Sequence, residues 1–312
     1  MSSAATTIKA KQRPGDRVFS GSAVFAGSMI LVTLAAVAIF LIVQSIPALF
    51  ATSDEASILT TNFWDYVLPL LFGTIWAAAL ALLMALPVSI GIALFISHYA
   101  PRRLASVLGY IVDLLAAVPS VVFGLWGIGV LAPAIQPVYS WLVTNLGWFP
   151  LFAGPVSGTG RTILTAAVVL AVMVLPIMTA ICREVFLQTP VLHEEAALAL
   201  GATRWEMIRM SVLPFGRSGI ISASVLGLGR ALGETMAVAM VLSASGVISF
   251  QLLTSVNPST IAANIALSFP EAYGLNVNVL IATGLILFVV TFAVNAFARW
   301  IVSRRKEFSG AN

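Results

Sequence analysis

The sequence predicts an all-helical membrane protein with six spanning helices and both termini in the cytoplasm. Of the 312 residues, 60% are hydrophobic and 9% are charged, whereas an ordinary globular protein carries about 25% charged residues. The mean hydropathy is +1.02, and a chain this apolar has more apolar surface than a water-soluble fold can bury. This composition also excludes a disordered chain. The single cysteine, Cys182, excludes an internal disulfide and a cysteine metal cluster.

Six apolar segments reach the length of about 20 residues that a helix needs to cross a core of roughly 30 Å. The first is too long for a signal-peptide core and no cleavage site clearly ends it, so we expect an uncleaved helix. Residues 132–160 hold four prolines, four glycines and several aromatic residues, Tyr139 among them, which favours an interfacial loop and leaves a re-entrant piece open. The expected spans are about 22–47, 67–97, 106–131, 162–186, 218–243 and 277–300.

The distribution of basic residues predicts the orientation. Of the 16 lysines and arginines, 14 fall on one side when six spans are counted. The other side carries Asp54, Glu55, Asp65 and Glu271, with one base, Arg161, at the mouth of span four. The positive-inside rule therefore places both termini in the cytoplasm. The chain divides into a basic tail at 1–20, a first helix and extracytoplasmic loop at 21–66, a membrane core at 67–302 and a second tail at 303–312.

The longest charged connection follows the fourth span. The Thr-Pro pair at 189–190 predicts a helix start with threonine as N-cap, and Gly201 predicts the end of that helix. Thr203 and Glu206 have the spacing of a capping box, which predicts a second short helix that ends at Pro214. We therefore expect two short helices with a glycine corner across the membrane face.

Span five carries two ionisable residues in an apolar segment. Arg230 lies twelve residues after Ser218, about 18 Å along a helix and near the bilayer midplane, where a charge costs roughly 2.5–3.5 kcal/mol. Glu234 would share its helix face, so the two side chains could neutralise each other. The alternative is an anion station, that is, a binding site for a passing anion, because arginine can bind phosphate through two hydrogen bonds. Gly229 and Gly233 would let another helix or a ligand come close.

A third ionisable residue, Asp113, lies about 10 Å inside the predicted third span. It reaches water or pairs with a basic group, and a structural and a functional role stay equally open. Pro119 and Ser120, followed by three glycines, predict a broken helix that either lines a cavity or is kinked and tightly packed. His98 is expected at the interface and His193 in solvent; two distant histidines give catalysis little support.

Three strings resemble one family of transport proteins. Glu-Ala-Ala at 195–197, with a glycine and a Leu-Pro pair beyond it, resembles the EAA loop of ABC importer permeases, although Ser211 stands where that pattern usually has isoleucine. The strings at 117–127 and 229–238 resemble the PstC family, permease subunits of the bacterial phosphate ABC importer, and Met-Ala-Val at 236–238 distinguishes it from the sister PstA family. The EAA positions are Glu195, Ala196, Ala197, Gly201, Leu213 and Pro214.

The resemblance implies a type I ABC importer permease fold of the MetI-like kind, in which the loop at 189–216 docks on a cytoplasmic ATPase. It implies a PstA-like sister subunit, a PstB-like ATPase dimer, a PstS-like phosphate-binding protein and transport by alternating access. The implied substrate pathway contains Gly229, Arg230, Gly233, Glu234 and Thr235.

The three lysines of the chain lie outside any Gly-x-x-x-x-Gly-Lys loop, so we expect ATP and magnesium on the ATPase, with no cofactor, metal or catalytic residue on this chain. A permease for sulfate or molybdate and a stand-alone secondary carrier or channel are the alternatives, and an enzyme ranks third.

Overall fold

The computed structural model of the protein describes residues 14–303. The basic residues at 9–13 and 304–306, which contribute to the predicted orientation, lie outside this part of the chain. The described helices are α1 (Pro14–Leu49), α2 (Phe63–Leu94), α3 (Arg102–Ala116), α4 (Ser120–Trp126), α5 (Ala132–Leu146), α6 (Ile163–Leu187), α7 (Val191–Ala199), α8 (Arg204–Met207), α9 (Leu213–Leu232), α10 (Met236–Val241), α11 (Ile261–Ser268) and α12 (Leu275–Ser303).

Within the described residues, six helical stretches are long and apolar enough to cross a membrane, which confirms the predicted number. The first, second, fourth and sixth predicted spans overlap α1, α2, α6 and α12. The third and fifth differ in position. The six stretches are Val18–Leu49, Phe63–Tyr99, Ser120–Leu146, Ile163–Leu187, Arg204–Leu232 and Leu275–Ile301.

The third span lies farther along the chain than predicted. The chain breaks after α3, and α4 continues through the π turn Gly127–Leu131 into α5. The predicted span at 106–131 and the predicted loop at 132–160 are therefore wrong, because residues 132–146 are helical. Tyr139, which we expected at the interface, is 1% exposed, and its hydroxyl lies 2.7 Å from that of Thr165.

Two prolines that the sequence pattern treats as helix breakers are accommodated by π turns. Pro133 follows the π turn Gly127–Leu131 after one residue, and Pro214 follows the π turn Ile208–Val212 in the same way. A proline lacks the N–H that an α-helix uses, and its ring crowds the carbonyl four residues back. The wider π turn relieves both problems, so the helix continues where a break was expected.

α6 lies at the centre of the bundle, with 67% of its spanning window buried. α2 and α9 pack against it, and α1 packs on α12. A separate apolar cluster joins the ends of α2 and α6 to α7, α8 and α9. Because lipid is as apolar as these side chains, close packing rather than the hydrophobic effect holds the helices together.

Candidate functional site

Glycines place α9 directly against α6. A Cβ added at Gly216 or Gly227 would lie 2.7 Å from a side-chain atom of α6, and one at Gly219 would overlap a valine there. Arg230 follows Gly227 by three residues and therefore continues this packed face. The glycine contacts are Gly216 with Phe186, Gly219 with Val185 and Gly227 with Met178.

Replacing Gly219 by alanine should separate α9 from α6, because the new methyl group overlaps the stiff, β-branched Val185 side chain. Overpacking of this kind typically costs about 1–3 kcal/mol, so we expect a lower melting temperature of the purified protein in detergent. Gly129→Ala is the control, since a Cβ there meets no described atom within 4 Å. Trimming Val185 to alanine should restore the melting temperature of Gly219→Ala; a Gly219→Ala protein as stable as the wild type would contradict the packing argument.

The guanidinium of Arg230 has no protein partner among the described residues. The side chain is half-buried, and its Nε is buried without a hydrogen bond. Arg230 and Glu234, both among the described residues, make no ion pair with each other, so the self-neutralising pair does not form. The donors of Arg230 therefore remain available to an anion.

Arg230 and Glu234 do not share a helix face, contrary to the sequence expectation. α9 ends at Leu232, and Gly233 is its C-cap. Glu234 is 8% exposed, and its Oε1 accepts a hydrogen bond of 3.1 Å from the backbone N–H of Ala237, in the first turn of α10. Glu234 thus accepts from an N–H in the first turn of α10 that has no partner within the helix. This hydrogen bond favours a break between α9 and α10 over one continuous helix. Its second oxygen makes no hydrogen bond within the described residues.

The distance of Arg230 from the start of its helix also differs from the prediction. The helix that carries it begins at Leu213, before the predicted start at Ser218. The rise from Leu213 to Arg230 is about 25 Å instead of about 18 Å. Arg230 therefore lies in the last turn of α9, next to the break, and its depth in the bilayer stays a prediction.

The remaining predicted pathway residues border open space or the break. A Cβ at Gly229 would meet no described atom within 4 Å, and the nearest atom to a Cβ at Gly233 is the Gly229 carbonyl oxygen at 3.7 Å. Thr235 is the N-cap of α10, and its hydroxyl donates to the Gly233 carbonyl at 3.2 Å. There is room here for another helix or a ligand; a role in substrate passage stays a prediction.

Two of the three glycines beyond Pro119 and Ser120 pack tightly. A Cβ at Gly124 would lie 3.1 Å from a Cα atom of α10, and one at Gly127 would lie 2.7 Å from a valine of α6. For these two positions the tightly packed alternative is the observed one, so α4 supports α10. Pro119 is the exposed N-cap of α4 and Ser120 is half-buried; their cavity-lining role stays a prediction.

A cavity of about 400 Å³ lies between α2, α9 and α12. Its lining is apolar throughout and includes Leu228 and Leu232, which flank Arg230 in sequence. A passing anion needs polar partners, so this cavity does not serve as its path.

Asp113 lies on α3, outside the six spans, so the prediction of an intramembrane carboxylate is wrong. It pairs with Arg183 of α6, with 3.7 Å between Oδ2 and Nη2. The Asp113 side chain is 56% exposed, and surface pairs of this kind contribute little stability. Of the alternatives left open for Asp113, pairing with a basic group is therefore observed. The guanidinium of Arg183 fits against Gly109, which has no side chain to obstruct it.

The first helix of the charged connection is α7. It begins one residue later than predicted, because Pro190 with an extended ψ of 124° is the N-cap, and the hydroxyl of Thr189 has no hydrogen-bond partner among the described residues. Its end confirms the glycine corner. Gly201 has a φ of +87°, its N–H donates to the Leu198 carbonyl at 3.0 Å, and the next N–H donates to the Ala197 carbonyl at 3.2 Å. These two bonds form a Schellman motif.

The second predicted helix is the first turn of the fifth span. The capping box is confirmed: Glu206 accepts from the Thr203 N–H at 2.7 Å, and the Thr203 hydroxyl accepts from the Glu206 N–H at 3.3 Å. The expected break at Pro214 is wrong, since the helix runs on through its π turn into α9. The glycine corner therefore connects α7 directly to the helix that carries Arg230.

Several EAA positions form an exposed surface. Glu195 and Ala196 are exposed, whereas Ala197 is 8% exposed and belongs to the apolar cluster beneath α7. Leu192 and Leu200 are 76% and 90% exposed. Large apolar side chains beside small residues suit contact with another protein.

Some contacts of this region carry no signal in the sequence. The side chain of His98 lies 3.3 Å from the carboxylate of Glu194, 96 residues away. Ser211, which departs from the family pattern, donates a hydrogen bond of 3.2 Å to the carbonyl of His193 and so ties α7 to the fifth span. These pairs cannot be predicted from the hydrophobic periodicity of the sequence, because periodicity relates only residues that are close together in the chain.

The far end of α10 is held by residues that the sequence did not single out for this role. Arg161 donates to the carbonyls of Met240 and Leu242 at 3.1 and 3.4 Å. Asn257, fully buried, donates to the Ser243 carbonyl at 3.1 Å. These bonds satisfy carbonyls at the end of the helix and keep α10 in place beside α4.

The helical membrane fold and the charged loop at 189–216 together define a transport permease. The family described as "Binding-protein-dependent transport system inner membrane component" matches residues 85–307, and the chain belongs to that family. It is a multi-pass inner-membrane component of an ABC-type importer, a system that works with further subunits.

Similar proteins confirm the resemblance to the PstC family. The chain is 49% identical over 302 residues to "Phosphate transport system permease protein PstC 2" of Mycobacterium tuberculosis, covering 93% of this chain and 92% of the relative. It is 46% identical over 303 residues to "Phosphate transport system permease protein PstC" of Mycobacterium leprae, covering 93% and 94%.

The MetI-like fold class is confirmed by solved structures. A bacterial ABC transporter involved in the import of the acidic polysaccharide alginate matches with a TM-score of 0.60 and 19% identity, over 93% of this chain and 99% of that one. The MetNI methionine ABC transporter matches with a TM-score of 0.53 and 13% identity, over 77% and 95%.

Proposed function

We propose that this chain is the permease subunit of an ATP-driven importer of inorganic phosphate and forms half of the translocation pathway. The observation that carries the proposal is the guanidinium of Arg230, which has no protein partner among the described residues. Arg230 follows Gly229, where an added Cβ would meet no described atom within 4 Å. A planar guanidinium can bind a phosphate through two hydrogen bonds. The relatives named as phosphate transport permeases support this substrate.

The mechanism is alternating access driven from α7. A PstB-like ATPase dimer binds ATP and magnesium and docks on the exposed EAA surface, while this chain binds no cofactor and catalyses no reaction. A PstA-like sister subunit completes the pathway, and a PstS-like protein delivers phosphate. Because α7 connects to α9 through the Gly201 corner, a displacement of α7 moves the helix that carries Arg230.

Both termini lie in the cytoplasm in this proposal. The proposal rests on the distribution of basic residues in the sequence. The corrected third span leaves Arg102 and Arg161 on the sides that the sequence predicts, because α3 is not among the six candidate spans. The division into tails, first helix and membrane core at 1–20, 21–66, 67–302 and 303–312 is retained, with the coupling loop at 189–216.

The experiment that tests the function is uptake by the complex reconstituted in proteoliposomes. We expect ATP-dependent accumulation of labelled phosphate that unlabelled phosphate inhibits and that sulfate and molybdate do not. Inhibition by sulfate or molybdate in place of phosphate would favour the alternative oxyanions. Flux without any ATPase would favour a secondary carrier or channel and overturn the proposal.

Glu234→Gln should weaken the selection of phosphate over sulfate. The substituted side chain can still accept from the Ala237 N–H, but its free end donates instead of accepting. Hydrogen phosphate carries a proton for Glu234 to accept, whereas sulfate carries none at neutral pH. One hydrogen bond to a charged group corresponds to roughly a 10- to 100-fold effect, which competition by sulfate during phosphate uptake measures. The exposed Glu271→Gln variant is the control, and unchanged selectivity in Glu234→Gln would refute this role.

A further inference from the structure

A polar contact joins the end of α2 to α7. α2 continues into the π turn Phe95–Tyr99, which carries His98. The imidazole Nε2 of His98 lies 3.3 Å from Oε1 of Glu194, the residue before the Glu-Ala-Ala string. The two side chains are 9% and 21% exposed, so the contact is largely shielded from solvent.

The ring of His98 is held in a fixed orientation. Its Nδ1 lies 2.6 Å from the hydroxyl of Ser97, which itself lies 2.8 Å from the carbonyl of Ala93. A carboxylate oxygen accepts hydrogen bonds, so the contact with Glu194 requires the hydrogen on Nε2. The Ser97 hydroxyl donates its single hydrogen to the Ala93 carbonyl, and the Ser97 oxygen restrains the ring at Nδ1.

Apolar packing surrounds this contact but cannot replace it. Ala93 and Leu94 of α2 share a buried cluster with Ala197 of α7 and Met207 of α8. Apolar contact of this kind is non-directional, whereas a hydrogen bond requires a defined distance and angle. The His98–Glu194 bond therefore fixes the rotation of α7 relative to α2.

α2 leads from this contact to the candidate pathway. It packs against both α6 and α9, and α9 carries Arg230. α7 is consequently connected to the region around Arg230 through His98 and α2, in addition to the covalent path through Gly201 and the hydrogen bond from Ser211 to the His193 carbonyl.

We infer that His98 is a positioning residue for coupling, which fastens α7 to α2 through Glu194 so that both move together when the ATPase displaces α7. This inference rests on the proposed function only in that an ATPase drives α7; it does not depend on which oxyanion is transported.

The test compares transport with ATP hydrolysis in the same proteoliposomes. For His98→Ala we expect the ratio of substrate transported to ATP hydrolysed to fall by roughly tenfold, the order expected for one hydrogen bond to a charged group. The complex should still co-purify with its ATPase, and the KM for ATP should stay unchanged. His98→Gln, whose amide can donate to Glu194, should recover most of the ratio. Tyr99→Ala is the control, because that side chain belongs to the same π turn and is 42% exposed.

A structural role alone would lower the yield of complex and leave the transport-to-hydrolysis ratio of the assembled fraction at the wild-type value, which would overturn the inference. A His98→Ala/Glu194→Ala double variant should be no worse than the worse single variant, because the two residues act through one contact. A double variant in which the losses of the two single variants multiply would also overturn the inference. A wild-type complex that transports sulfate instead of phosphate would refute the proposed substrate yet leave this ratio measurable, so the two failures are distinguishable.

Discussion

Replacing Arg230 by alanine should abolish phosphate uptake while the protein still assembles with its partners. The guanidinium makes no hydrogen bond or ion pair with the described residues, so its removal breaks no internal polar contact. An anion would lose two charge-assisted hydrogen bonds, and we expect uptake to fall at least about 100-fold. Uptake in proteoliposomes and co-purification of the ATPase measure the two effects separately.

Two further variants sharpen this result. Arg230→Lys keeps the positive charge but loses the planar fork, so uptake should be intermediate. Arg299→Ala removes an exposed arginine near the end of α12 and should transport at the wild-type rate. Normal uptake by Arg230→Ala would refute the anion station.

Replacing Gly201 by proline should uncouple ATP hydrolysis from transport. Proline fixes φ near −65°, whereas this corner needs +87°, and it lacks the N–H that Gly201 donates to the Leu198 carbonyl. The corner between α7 and α8 must then rearrange, and α7 no longer moves α9 with it. We expect ATP-driven uptake to be lost while substrate-independent ATP hydrolysis remains or the ATPase dissociates.

A graded series controls for this effect. Asparagine tolerates the left-handed conformation better than other residues with a side chain, so Gly201→Asn should keep most of the uptake. Glu195→Lys reverses an exposed charge on α7 without changing the corner, and it should weaken co-purification of the ATPase. Unchanged co-purification and transport in both Gly201→Pro and Glu195→Lys would argue against α7 as the coupling helix.

Local signals in the sequence were reliable where the physical cause is local. The capping box at Thr203 and Glu206 and the corner at Gly201 each depend on a few neighbouring residues, and both were predicted. The number of spans follows from composition and length, and it too was confirmed. The third span is misplaced because the prolines and glycines at 132–160 predict a loop, whereas α5 contains Pro133 and Pro137 and a π turn accommodates the first of them.

The candidate site was predictable in its residues but not in its geometry. Arg230 is conspicuous because a charge in an apolar segment is costly. The break at Gly233 was missed, since a spacing of four residues fits a continuous helix equally well. The packing of Gly219 on Val185 and the contact of His98 with Glu194 join residues distant in sequence, and no periodicity reports such pairs.

The carboxylate of Glu234 stabilises the start of α10 in addition to its proposed role in the pathway, because it accepts a hydrogen bond from the Ala237 N–H. An alanine scan would therefore confuse two roles at this position, since truncation leaves that amide unsatisfied whether or not a solute ever touches the side chain. Only replacements that preserve the acceptor can separate recognition from architecture here.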